Sequence, residues 1–150
     1  LHYILQETVL SLLRHPDYAV YGAATSTKHQ GMEKGEAKFN RTSMEERGKI
    51  KEETMVNYDG RSRRSSYSGS SSGRSPGNDL IVVTILAAID GRVNVPKVTS
   101  GEELREALNV LGSVGTEQVL ACEVLWTPQD ENDYYTRDDI IHDYPTLNNL

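Results

Sequence analysis

The sequence predicts an α/β (α+β) domain, a small mixed sheet of three or four strands packed by helices and interrupted by an Arg/Ser/Gly-rich insert. Three observations carry that expectation. Apolar residues recur at helical spacing over 1–14 and 102–111, Leu80–Ile89 is an unbroken β-rich apolar run, and residues 59–78 (DGRSRRSSYSGSSSGRSPGN) offer almost nothing to a core. A chain of 150 residues is long enough for one domain with its own core. The reading divides it into a first part over 1–56, an insert over 57–79 and a second part of the same domain over 80–150.

The first helix follows from Leu1, Ile4, Leu5, Val9, Leu12 and Leu13 on one face, with Gln6, Glu7 and Ser11 turned away. Arg14 and His15 suit the negative end of its dipole, and Pro16 stops it. Residues 18–27 (YAVYGAATST) have the Tyr, Val and Thr content of a strand, weakened by Gly22 and the alanines. Residues 31–56 are charged and helical, with a break expected near Asn40–Ser43 because Thr42-Ser43 followed by Glu45-Glu46 resembles a capping box. The insert cannot bury enough apolar surface to offset chain entropy and is expected to be disordered.

Leu80–Ile89 reads as a strand covered on both faces, and Asp90-Gly91 as a hairpin turn leading back through 92–95. Ser100 with Glu103 caps a helix over 102–111, whose buried stripe is Leu104, Ala107, Leu108 and Leu111, and Gly112 stops it. Gln118–Trp126 is the next strand, with Leu120, Cys122, Val124 and Trp126 on one face, ended by Pro128. Thr136 caps a short helix through Asp143. If strands 80–89 and 118–126 share a sheet, the intervening helix makes a right-handed parallel crossover.

Charge excludes one class of function. The net charge is −6, and within 57–79 Arg61, Arg63, Arg64 and Arg74 outnumber Asp59 and Asp79 by two, so the remaining chain carries −8. A body that acidic repels a phosphate backbone, which argues against a nucleic-acid partner. The single Cys122 excludes an internal disulfide framework and a multi-cysteine zinc site, and its apolar strand suits a buried, inert thiol. The longest apolar run is too short to span a bilayer as a helix. Because Leu1 lies inside an amphipathic pattern, the chain is expected to be a piece of a longer protein.

No catalytic residue set and no cofactor motif emerges. Asp130, Glu131 and Asp133 are weak metal candidates, lacking the alternating ligands and turn glycine of a calcium loop. With Asp138, Asp139 and Asp143 they read more simply as a solvated turn and favourable charge at a helix N-terminus. His2, His15, His29 and His142 have no paired spacing, although His142 lies within reach of a carboxylate. Glu123 stands out in an apolar strand and would need a partner if buried. Together with Asp130–Asp143 it defines the alternative reading, a metal-dependent or other enzyme module. Ser65 and Ser66 after Arg63-Arg64 resemble a basophilic kinase target, where a phosphate would reverse the local charge.

Six segments carry a family resemblance: LQETVLSLLRHPDY (5–18), KFNRTSMEERGKIKEETMVN (38–57), IVVTILAAIDG (81–91), SGEELREALNVLGS (100–113), VLACEVLWTPQDEND (119–133) and HDYPTLNNL (142–150). They resemble a domain-of-unknown-function family of plants, algae and cyanobacteria, which includes the chloroplast fluctuating-light-acclimation protein. The resemblance implies a non-catalytic, soluble-facing domain of a chloroplast membrane protein, in the thylakoid or envelope. It implies a role in photosynthetic acclimation and non-photochemical quenching, exercised through protein partners at a photosynthetic membrane. The attachment would come from a segment upstream of Leu1. The expected contact surfaces are the first helix and the acidic 130–143 region.

Overall fold

The computed structural model describes residues 2–59, 80–127 and 135–150. Residues 60–79 of the insert, including Ser65 and Ser66, therefore lie outside the described residues, as do Asp130, Glu131 and Asp133. In chain order the elements are α1 (His2–Leu13), a 3-10 turn (Pro16–Tyr18), β1 (Tyr21–Gly22), α2 (Met32–Asp59), β2 (Val82–Ile89), α3 (Gly101–Gly112), a second 3-10 turn (Thr116–Gln118), β3 (Val119–Thr127), α4 (Arg137–Asp143) and β4 (Asn148–Asn149). The architecture is α+β, as expected.

The sheet differs from the expectation. Among the described residues there are, instead of one mixed sheet, two antiparallel pairs, β2 with β3 and β1 with β4, and Leu80 and Tyr135 form an isolated bridge. The parallel crossover is overturned: Val82 faces Thr127 at one end of the ribbon and Ile89 faces Val119 at the other. The reason is visible where β2 ends. Asp90 N–H donates to the Gln118 carbonyl at 2.8 Å, so the excursion through α3 leaves and re-enters the ribbon at the same end. Gly91 turns the chain with φ of +102°, in the region that favours glycine. Residues 92–95 form no strand, and the antiparallel partner of β2 is β3.

The expected strand over 18–27 shrinks to Tyr21–Gly22, paired with the chain's C-terminal end. Gly22 is buried there, and a Cβ would lie 3.2 Å from Val98 and 3.3 Å from Leu150. The residues that weaken a long strand thus allow a close backbone approach.

Helix α2 runs without the expected break. The Thr42 hydroxyl donates to the Lys38 carbonyl at 2.9 Å, and the Ser43 hydroxyl reaches out to Glu123. Both side chains are engaged inside a continuing helix, so neither caps a new one. The helix also extends through Asp59, beyond the expected boundary at 56.

The other helices match closely. Ser100 and Thr136 cap α3 and α4, accepting from Glu103 N–H at 3.2 Å and Asp139 N–H at 3.2 Å. The Asp139 carboxylate returns the bond to Thr136 N–H at 3.0 Å, completing a capping box. Leu5 and Val9 of α1 pack with Leu108, Val114 and Val119, flanked by Leu104, Ile85, Ile89 and Cys122. Gln6, expected to face away, instead donates to the Gly112 carbonyl at 2.6 Å, and His2 bonds the Val114 carbonyl at 2.8 Å. These contacts pin α1 to the exit of α3.

A second core joins Val82, Tyr135, Ile140 and Tyr144. The ribbon lies between the two because its residues alternate faces, Val82 against Ile85 and Ile89, and the bulge in β3 sets the side that Val119 takes. Ala88 faces Ala121 while Ile89 faces Val119, so Leu120 has no partner. Val119 thereby joins Cys122 on the α1/α3 side, and Glu123 and Thr127 face the other side. The expected face is corrected accordingly: Leu120 and Trp126 are 44% and 45% exposed.

Candidate functional site

Among the described residues, polar groups from separate elements converge most closely at Glu123. Its strand neighbours are apolar, and its carboxylate points toward α2. Ser43 Oγ donates to Oε2 at 2.5 Å and Arg47 Nε donates to Oε1 at 2.6 Å. Ser43 and Arg47 are four apart on α2 and therefore share a face. Ser43 is buried, Glu123 is largely covered, and the Arg47 side chain stays 63% exposed. The Ser43 hydroxyl does most to hold the Glu123 carboxyl below its ordinary value. Burial opposes this, and Arg47 adds to the lowering by hydrogen bond and charge.

A carboxylate held ionised, with both oxygens engaged, is poorly placed to take or give a proton near neutral pH. The group instead ties α2 to the ribbon. Two residues on, Lys49 continues the seam, with Nζ 3.0 Å from Glu46 Oε1 and 4.8 Å from the Tyr144 ring centroid. Tyr144 OH lies 3.1 Å from Thr127 Oγ1. Sequence reasoning marked Glu123 as needing a partner but missed Ser43 and Arg47. The available signal was a hydroxyl and a cation four apart on one helix.

The other candidates stay apart. His142 Nδ1 lies 2.8 Å from Asp143 Oδ1, the reach the sequence suggested, on an exposed surface. Asp138 and Asp139 sit in the first turn of α4, where Asp139 serves the cap. Among the described residues no three His, Cys, Asp or Glu side chains gather as metal donors. Cys122 is half-buried, and burial is the main cause pushing its thiol above the ordinary value. Among the same residues no helix is long and apolar enough to cross a membrane.

Comparison with known proteins gives a consistent result. The model of a family described as "Protein of unknown function (DUF1517)" matches residues 1–150. The chain is 45% identical over 150 residues to the FLUCTUATING-LIGHT-ACCLIMATION protein 1, chloroplastic, of Arabidopsis thaliana, covering 100% of this chain and 38% of that protein. It is 41% identical to Protein FLAP1 homolog A of Synechocystis, covering 96% of this chain and 45% of that protein. The chain thus spans less than half the length of either relative. No solved structure matches it.

Proposed function

Since this chain belongs to the DUF1517 family of proteins of unknown function, we propose that it is a non-catalytic domain acting in the acclimation of photosynthesis to changing light. The observation that carries this is its 45% identity, over its full length, to a relative named for fluctuating-light acclimation and described as chloroplastic. The proposed setting is the chloroplast, at the thylakoid or envelope membrane, with attachment supplied by sequence outside this domain. The proposed mode is contact with protein partners, resting on the acidic body and on the apolar side chains that α1 exposes, Tyr3 at 74%, Ile4 at 49% and Leu10 at 45%. The engagement of the Glu123 carboxylate by Ser43 and Arg47 supports this reading over the rival enzyme one.

A chimera tests the proposal. The matching region of the Synechocystis relative is replaced by this chain in a strain lacking the native copy, and chlorophyll fluorescence quenching is followed under alternating strong and weak light. Restored acclimation kinetics support the reading. A stably expressed chimera that behaves like the deletion strain overturns it.

A further inference from the structure

Strand β2 reads VVTILAAI, without a charge or a proline, a composition suited to cover on both faces. Yet only Val82 is buried, and the other seven residues are half-exposed. The reason is that β2 has one neighbour. Among the described residues β3 pairs with one edge, and no strand lies along the other. Open edges are ordinarily blunted by lysine, proline or a bulge. Here β2 has none of these, and the bulge is on β3.

An open cleft of about 1980 Å³ follows this edge, lined by every residue from Leu80 to Asp90 and, in part, by residues 19–29. Its volume is well above the roughly 1000 Å³ at the upper end of small-ligand pockets, which points to a polypeptide occupant. The side walls differ in character. Leu12, Leu13, Leu104, Leu108 and Leu111 of α1 and α3 supply apolar surface. On α2, Lys38, Thr42, Glu45, Glu46 and Lys49 supply charge and a hydroxyl beside the apolar Met32 and Phe39, so this wall is mainly polar. These walls lie over opposite faces of the ribbon, since α1 packs on the side of Ile85 and Cys122 while Ser43 of α2 holds Glu123.

We propose that the free edge of β2 is a docking site for an extended segment of a partner protein, which adds a third strand to the ribbon. Pleating would send its side chains alternately to the two walls. The segment recognised is therefore one with apolar residues at every second position and charged or polar residues between them. A second copy of β2 would suit the site less well, because half of its apolar side chains would meet the charged wall of α2. The inference goes beyond the acclimation reading, and its test does not depend on the outcome of the chimera.

The test begins with an array of octapeptides that alternate Val or Leu with Lys, Glu or Thr, set beside scrambled sequences of the same compositions. The tightest binder is then measured against the full chain by fluorescence anisotropy and amide hydrogen exchange. Alternating peptides should bind about ten-fold tighter than scrambled ones, and N-methylation of the pairing amides should weaken binding by about ten-fold or more. Every second amide from Val82 to Ile89 should gain protection. The proposal is overturned if no peptide binds below about 1 mM, or if scrambled or N-methylated peptides bind equally well. It is also overturned if the outward β2 amides are already protected in the free monomer, or become protected only as protein concentration rises. Those last results would give the edge to the chain itself or to a second copy.

Discussion

Ser43 on α2 and Glu123 on β3, 80 residues apart in sequence, are joined by a hydroxyl-to-carboxylate hydrogen bond of 2.5 Å. It matters because the less exposed positions of α2 include Thr42, Ser43, Glu46 and Lys49 beside only two large apolar residues, Phe39 and Ile50. Apolar burial alone therefore does little to fix where the helix lies. Ser43→Ala should cost roughly 1–2 kcal/mol, since it leaves a covered carboxylate oxygen without its donor. Arg47→Ala should cost less than about 1 kcal/mol, because the guanidinium is mostly in water and its pairing is screened. Urea denaturation of both variants checks the order, and a larger loss from Arg47 would reverse the assignment.

The same carboxylate gives the fold a pH dependence of definite sign. Glu123 is held below the ordinary value of 4.5 by Ser43 first and by Arg47, against burial. Its folded value is therefore below its unfolded one. The stabilisation is present above pH 4.5 and is lost as pH falls through the lower folded value. Glu103, lowered chiefly by the Thr99 hydroxyl, acts in the same direction. Urea midpoints measured from pH 6 down to about 3 should fall most steeply below about 4.5, and less steeply in Glu123→Gln. An unchanged slope in that variant would remove Glu123 from the account.

The core around α1 predicts a contrast within one helix. Leu5 has 0% exposure, whereas Leu10 has 45%. Leu5→Ala should destabilise by about 2–5 kcal/mol through lost burial and the cavity left behind. Leu10→Ala should stay within about 0.5 kcal/mol of the parent. Chemical denaturation monitored by circular dichroism distinguishes them, and equal losses would mean that α1 is packed on both sides.

Trp126 offers a spectroscopic check, since the chain contains one tryptophan, 45% exposed. Its folded-state emission should be red-shifted and readily quenched by acrylamide, changing only modestly on unfolding. A blue-shifted, protected signal would place it in a core, as the strand pattern suggested.

Helices α1, α3 and α4 were legible because each carries local instructions, an apolar stripe or a Ser or Thr cap with an acid three residues on. Strand pairing was not. The Asp90-Gly91 turn looks the same whether residues 92–95 or 119–127 become the partner, and the choice depends on where the end of α3 returns the chain. Likewise Thr42 and Ser43 resemble a cap in sequence. Only the position of Glu123 on a distant strand shows that the Ser43 hydroxyl is used outward. The need of Glu123 for a partner was readable, while the identity of that partner was a tertiary fact.

The unpaired Leu120 has one further consequence. Val119 and Thr127 are eight residues apart, an even spacing that would put both on one face of a regular strand. Both are buried, at 7% and 1%, yet Val119 belongs with Leu5 and Leu108 while Thr127 meets Tyr144. The bulge is a half-period phase shift that lets one strand close two cores set on opposite sides. A shortening of β3 by that one residue would preserve every pairing and both cores, because the odd spacing it leaves puts Val119 and Thr127 on opposite faces of a regular strand.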